Sequence, residues 1–212
     1  MDPRSFNAID LIFGEIDKAI KVLTTPARAS RATAAAPAAA ALPEPQRSES
    51  VRLMRVNHAG EVAAQALYQG QALTARDAAV AAAMRHAAAE ENDHLAWCEL
   101  RLRELEGRTS ALNPLWYAGS FAIGALAGAL GNGPSLGFVA ETERQVELHL
   151  RSHMQRLGSA DPRSRAILEQ MTHDEVRHGA HAASLGGEAL PIPIMAAMRL
   201  TSKVMTLGSY WM

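Results

Sequence analysis

The chain has 212 residues, 48% of them apolar, and its 22 acidic side chains nearly cancel 21 Lys and Arg, leaving a formal charge of -1. That balance excludes the basic surface a nucleic-acid partner requires and leaves little field to steer a charged substrate. The length suits one domain around a single core, and a composition rich in Ala and Leu, poor in aromatics and without alternating β-branched runs predicts an all-α chain.

Residues 1–25 read as an amphipathic helix, because Ile9, Ile12, Phe13, Ile16, Ile20 and Leu23 recur at three- and four-residue steps with charges opposite, and such a helix needs a surface to lie on. The same stretch lacks the continuous apolar run of a signal peptide, so the expected place of the chain is the cytoplasm or the cytoplasmic face of a membrane. From 26 to 47 the composition turns to Ala, Pro, Ser and Thr, which predicts a poorly ordered linker before the bundle at 48–190.

The first bundle helix is expected from Ser48 to about Leu73. It carries Glu61 between the small residues Gly60 and Ala64, with Tyr68 seven residues on and on the same face. Thr74 to Asp77 has capping-box spacing and announces a second helix, which ends before Gly107. Its stripe runs through Met84, Ala87, Glu91, His94, Cys98, Leu102 and Leu105, so a carboxylate and an imidazole stand where core side chains belong. Burying them without a partner costs several kcal/mol in practice, on the order of 3–5 for an uncompensated charge, and a metal ion would satisfy both at once. Glu90 and Asp93 fall off the stripe and read as a solvated or supporting pair. The lone Cys98 excludes an intrachain disulfide, fits a reducing compartment and reads as a small core residue.

No charged residue lies between Arg108 and Glu141. The apolar stretch from Leu115 to Leu130, inside a crossover at 112–135, spans about 24 Å as a helix against the roughly 30 Å of a hydrocarbon core, so it is not a membrane span. A crossover helix buried in the domain and a helix dipped into one leaflet both remain open, with Trp116 and Tyr117 suiting an interface. After the break at Gly131 to Pro134, a third bundle helix runs to about Leu157 with a stripe of Val139, Glu143, Val146, Leu150, Met154 and Leu157. Glu143 is preferred over Glu141, about 200° away around the helix, and over Glu147 one turn on. His149 is a residue of the ligand surroundings or of the substrate side.

Asp161 and Pro162 start a fourth helix and Gly186 and Gly187 stop it. Its stripe, Ile167, Met171, Glu175, His178, Ala182 and Leu185, repeats the substitution of a Glu-x-x-His for core residues, while His173 and His181 read as surface or supporting histidines. Residues 191–212 then form an apolar helix with only Arg199 and Lys203 charged, expected at a membrane interface, with a packed terminal helix as the alternative.

One glutamate from each of two helices and a Glu-x-x-His from each of two others is the arrangement that builds a two-metal carboxylate centre in a four-helix bundle. Glu61 precedes Glu91 by 30 residues and Glu143 precedes Glu175 by 32, as two similar helix pairs would. In this arrangement Glu91 and Glu175 bridge the ions, with Glu61 and His94 completing one and Glu143 and His178 the other. Ligation by carboxylates and two imidazoles without thiolate argues for iron or manganese over structural zinc.

The segments His58 to Glu61, Ala66 to Gln71, Asp93 to Cys98, Asn113 to Leu115, Glu141 to Glu143 and Asp174 to His178 together resemble the demethoxyubiquinone hydroxylases of ubiquinone biosynthesis, in order and at matching spacing, from about Leu53 to Met205. The resemblance implies a ferritin-like bundle, two iron ions on Glu61, Glu91, His94, Glu143, Glu175 and His178, and a monooxygenase that hydroxylates the ring of a polyprenylated demethoxyubiquinol with dioxygen. It also implies peripheral attachment to the inner face of the cell membrane and association with other ubiquinone-biosynthesis proteins, with the uncharged stretch and the last helix as the membrane-facing lip of a substrate channel. A ferritin-like ferroxidase or iron store is the rival use of the same ligands, and a bundle held by buried ion pairs without metal is the third.

Overall fold

The computed structural model describes residues 8–33 and 42–212, and the described residues form seven helices and no strand. They are α1 (Ala8–Thr24), α2 (Glu44–Thr74), α3 (Ala78–Glu104), α4 (Asn113–Ala129), α5 (Asn132–Leu157), α6 (Pro162–Ser184) and α7 (Ile192–Trp211). The bundle proper is α2, α3, α5 and α6, in which α2 pairs with α3 and α5 with α6. The all-α bundle expected from composition and spacing is the observed architecture.

Two ends of the bundle are filled differently. Leu53, Met54, Trp97, Leu102, Leu150, Ile167, Leu168 and Met171 close one end. Tyr68, Met84, Leu136 and Val139 close the other. Between them the inward positions are polar, and that interruption locates the site. Cys98 is fully buried in the first cluster, as expected.

The caps show which local signals were strong. Asp161 accepts from the Ser164 backbone N–H at 2.9 Å with Pro162 at the first turn, and α6 stops before Gly186, whose φ of 99° only glycine adopts without strain. Thr74 is not the cap of α3; Asp77 is, accepting from Ala79 and Val80. The first bundle helix begins at Glu44 and not near Ser48, because Pro43 and Pro45 supply the preset φ of a helix start.

Four further expectations are corrected. The predicted linker is anchored over 26–33, where the chain runs along α3 and bonds to it; residues 34–41 lie outside those described. In α1, Phe13, Ile16 and Ile20 are exposed, and only Ala19, Val22 and Leu23 pack inward; the side chains of Ile9 and Ile12 lie outside the described residues. Leu185 is exposed, because α6 has already ended. Asp93 is buried, while Glu90 is the partly exposed member of that pair.

The uncharged stretch becomes α4, which lies along α2 at glycine-to-backbone distance: a β-carbon on Gly124 would collide with the Leu67 carbonyl, and one on Gly70 with the Phe121 carbonyl. Tyr117 turns inward and hydrogen-bonds Gln69, while the Trp116 indole donates to Ser209 of α7 at 3.0 Å. The opposite face leaves Leu115, Ile123, Leu126 and Leu130 exposed. In α7, likewise, Ser209 is buried and Leu200, Val204, Leu207 and Trp211 face outward beside the exposed Arg199 and Lys203. None of the described helices is long and apolar enough to cross a membrane.

Candidate dinuclear metal site

Helical periodicity turns Glu91 and His94 to one side of α3, and Glu175 and His178 to one side of α6; α2 and α5 add one glutamate each. The structure brings all six predicted side chains together. Glu61, Glu91, His94 and Glu175 form one group and Glu91, Glu143, Glu175 and His178 another, the ligand atoms within each lying within 4.8 Å of one another. All six residues are buried. The two groups share Glu91 and Glu175, and the shared carboxylates are oriented to span them. Glu91 sets Oε2 2.8 Å from His94 Nδ1 and Oε1 3.3 Å from His178 Nδ1. Glu175 sets Oε1 3.2 Å from His94 Nδ1 and Oε2 3.6 Å from His178 Nδ1.

Both imidazoles are steered from behind. His94 Nε2 donates to Asp174 Oδ2 at 3.0 Å, and His178 Nε2 donates to Glu90 Oε2 at 3.1 Å. With Nε2 held as a donor, Nδ1 of each ring faces the cluster, and on losing its proton it offers the lone pair a metal ligand requires.

The donor set fits a pair of divalent cations. Both oxygens of Glu91, Oε1 of Glu143 and Glu175, and Nδ1 of His94 and His178 are buried without a hydrogen-bond partner among the described residues. Unpartnered polar atoms at such density cost several kcal/mol together, at about 1–3 for each, and cations between them would satisfy all at once. Four carboxylates also match the charge of two divalent ions.

The metal-free electrostatics show the same strain. Burial drives the Glu61 carboxyl well above its usual range, with the Glu91 charge adding to it, and burial followed by the Glu175 charge does the same to Glu143. Glu91 is pushed up by burial and by Glu175, but the adjacent His94 and His178 bring it below its ordinary value. Glu175 is depressed in the same way: burial opposes, and Glu143, His178 and His94 prevail. Burial lowers both histidines, but the carboxylates win; His94 rises well above its ordinary range and His178 to about 10.

A cavity of about 480 Å³ opens beside Glu61, walled by α2, α4, α5 and α7. Its lining is mostly apolar, from Leu67, Ile123, Phe138, Val146 and Met198 among others, with Asn57, Gln145 and His149 as polar points. Gly60 and Gly119 widen it, since a β-carbon on either would project into open space. His149 Nε2 is buried without a partner, and burial, followed by the charge of Arg156, pushes its pKa down to about 4. The ring packs 3.9 Å from His153, whose Nδ1 donates to Asn57 at 2.8 Å. Tyr68 is fully buried between Leu67, Leu136 and Val139, and its hydroxyl has no hydrogen-bond partner among the described residues. The competitors of Glu143 are engaged elsewhere: Glu141 with Arg144 and Gln145, Glu147 with Arg151. His173 and His181 are exposed.

Sequence reasoning missed Asp174; of the two readings it left for Glu90 and Asp93, solvated or supporting, the structure shows Glu90 supporting His178 and Asp93 engaged by Arg31. The signal was present, because an acidic residue immediately precedes each of the two shared glutamates, Glu90 before Glu91 and Asp174 before Glu175. On a helix that neighbour is turned about 100° away from the cluster, toward the facing helix, where it meets the other helix's histidine.

Comparison with known proteins places the fold and the family of the chain. In structure, the chain is similar to the bacterioferritin-related protein of Bacteroides fragilis, a dodecameric thioferritin, with a TM-score of 0.56 over 87% of this chain and 98% of that one at 16% identity, a likeness of fold alone. In sequence, it is 57% identical to a 3-demethoxyubiquinol 3-hydroxylase of Cupriavidus necator over 95% of this chain and 99% of that protein. Proteins of the same name from Burkholderia lata and Nitrosospira multiformis are 56% and 54% identical over 96% and 97% of this chain and 99% of theirs. A family model described as ubiquinone biosynthesis protein COQ7 matches residues 48–209, which takes in all six converging side chains and the walls of the cavity. With that match and those relatives, the chain belongs to the COQ7 family of ubiquinone biosynthesis proteins.

Proposed function

We propose that this protein is a 3-demethoxyubiquinol 3-hydroxylase, holding two iron ions on Glu61, Glu91, His94, Glu143, Glu175 and His178. The observation that carries the reading is the position of the apolar cavity, which reaches the buried cluster at Glu61. The relatives' name supports the activity. Two bound iron ions would supply the chemistry of dioxygen reduction, with two electrons and two protons taken up as one oxygen atom enters the ring and the other leaves as water.

The chain's own residues bind, orient and shield. A cavity of about 480 Å³ falls within the roughly 300–1,000 Å³ of small-molecule sites, enough for a substituted quinol ring and the first part of an apolar tail. His149, uncharged at neutral pH and unpartnered at Nε2, is placed to hydrogen-bond a quinol hydroxyl. The apolar walls exclude water from the ring position. A polyprenyl tail leaves between α4 and α7, whose exposed leucines, with Arg199 and Lys203, suit the surface of an anionic membrane. Peripheral attachment to the cytoplasmic face of the cell membrane and contact with other proteins of the same biosynthesis are part of the proposed reading.

The test is turnover of iron-loaded protein with a lipid-extracted demethoxyubiquinol, a reductant and isotopically labelled dioxygen. The expected product is heavier by one labelled oxygen. Iron-dependent oxygen consumption with the quinol unmodified would overturn the hydroxylase reading in favour of a ferroxidase.

A further inference from the structure

The stretch from Pro26 to Thr33 precedes the residues matched by the family model, and its composition predicts a linker. Its path is specific. The Ala27 backbone N–H donates to Glu99 at 3.1 Å, Asn92 donates to the Arg28 carbonyl at 2.7 Å, and the Ser30 backbone N–H donates to Asp93 Oδ1 at 2.6 Å. The Trp97 indole N–H donates to the Arg31 carbonyl at 3.2 Å while the Arg31 guanidinium lies 5.0 Å above that indole ring. These contacts strap the segment across α3 directly behind His94.

From the strap, Arg31 reaches two buried carboxylates on two helices. Its Nε donates to Asp93 Oδ2 at 2.7 Å, and its Nη2 stands 2.9 Å from Asp174 Oδ2. That Asp174 oxygen is the one that accepts from His94 Nε2. We propose that Arg31 is a positioning residue of the dinuclear site: it holds Asp174 in the orientation that fixes the His94 ring, and so presents His94 Nδ1 to one of the two ions. The inference rests on reading the cluster as a metal centre.

The comparison within the site makes the assignment specific. His178 has the equivalent support from Glu90, but Glu90 is 27% exposed and is approached by Arg177, itself 55% exposed. Asp174 is fully buried. Without Arg31, Asp174 Oδ2 keeps only His94, and Arg177 and Gln170 on its own helix draw the carboxylate through Oδ1. Arg31 therefore acts on the His94 ion and not on the His178 ion. A planar guanidinium spans both aspartates, whereas an ammonium in its place reaches one.

The test is an anaerobic titration of the full-length, metal-free protein with cobalt(II), followed by its visible absorption. Wild type is expected to take up two equivalents. R31A is expected to retain one equivalent at wild-type affinity and to bind the other at least about tenfold more weakly, the usual scale for losing a group that orients a ligand. R31K falls between. In the D174N background, R31A is expected to cost nothing further. Wild-type affinity and spectrum for both equivalents in R31A, or losses that multiply in the double variant, would overturn the proposal while leaving the metal reading intact. Absence of cobalt uptake by wild type would overturn the metal reading itself. Should R31A lower the melting midpoint of the metal-free protein, R31K carries the test, and full wild-type uptake by R31K at both equivalents would overturn the proposal.

Discussion

Asp174 of α6 accepts from His94 of α3, and Glu90 of α3 accepts from His178 of α6, so each histidine is oriented by the residue just before the other helix's shared glutamate. The exchange is near-symmetric in sequence and unequal in burial, because Asp174 is fully covered while Glu90 is 27% exposed. Water can replace Glu90 as the acceptor for His178, but nothing replaces Asp174. D174N is therefore expected to weaken metal binding more than E90Q, by about tenfold to a hundredfold against a few-fold. Iron stoichiometry after dialysis against a chelator series checks the order, and equal losses would show that burial does not set the effect.

Gly60 lines the cavity immediately before Glu61, and a β-carbon added there would point into open space. G60L would extend into that cavity from a β-carbon that meets nothing within 4 Å. The expected result is unchanged metal content and melting midpoint, with kcat/KM for the quinol lowered by on the order of tenfold or more as the ring loses its near-attack position. A variant with normal turnover would place the substrate elsewhere.

Gly124 lies against the Leu67 carbonyl, and this close approach is what keeps α4 on α2 and forms one wall of the cavity. An added methyl group there meets backbone that cannot rotate away, so G124A is expected to cost about 1–3 kcal/mol by overpacking. Thermal unfolding of the metal-free protein measures it, and an unchanged midpoint would mean that α4 is held mainly by other contacts.

Leu200 and Leu207 stand 65% and 66% exposed on α7. In the proposed attachment of α7 to an anionic membrane, these two side chains supply the apolar contact. L200E combined with L207E is expected to abolish co-sedimentation with anionic vesicles while leaving turnover of a short-tailed, water-soluble quinol unchanged. Vesicle binding that survives the double substitution would move the membrane contact to α1 or α4.

The six converging side chains were legible because a long helix reports its inward face by period, and Glu91, His94, Glu175 and His178 occupy that face where Leu or Met would otherwise stand. Glu143 was separable from Glu141 for the same reason; the structure gives Glu141 to Arg144. Arg31 was illegible, because it lies in an irregular segment whose position is set by side-chain bonds to Asp93 and Trp97 and not by any repeat. The outward faces of α1, α4 and α7 were legible only as apolar faces: Phe13, Leu126 and Leu200 lie on them and are exposed. Period tells which side is apolar, not what covers it.

The metal-free cluster is a store of protons. Burial shifts Glu61 and Glu143 toward their neutral, protonated forms, the surrounding carboxylates shift His94 and His178 toward their cations, and those histidines hold Glu91 and Glu175 toward their anions. In those forms two anions and two cations give the cluster no net charge before metal binds. Four carboxylates, two neutral imidazoles and two divalent ions also sum to zero. Filling the cluster is then an exchange of two divalent cations for about four protons, which avoids burying a net charge at either stage. The sign is fixed by the shifts: all four proton-bearing groups must deprotonate, so lowering the pH disfavours the metal. Affinity is expected to rise with pH, by at most about a hundredfold per pH unit for each ion while both of its proton-bearing groups stay protonated, and less steeply above about pH 10, where His178 has already lost its proton. Calorimetric titration with ferrous ion in buffers of different ionisation enthalpy measures the protons released. Release of about two protons in place of four would mean that the glutamates are already ionised before metal binds and only the histidines give up a proton, so that burial does not set the charge of Glu61 and Glu143.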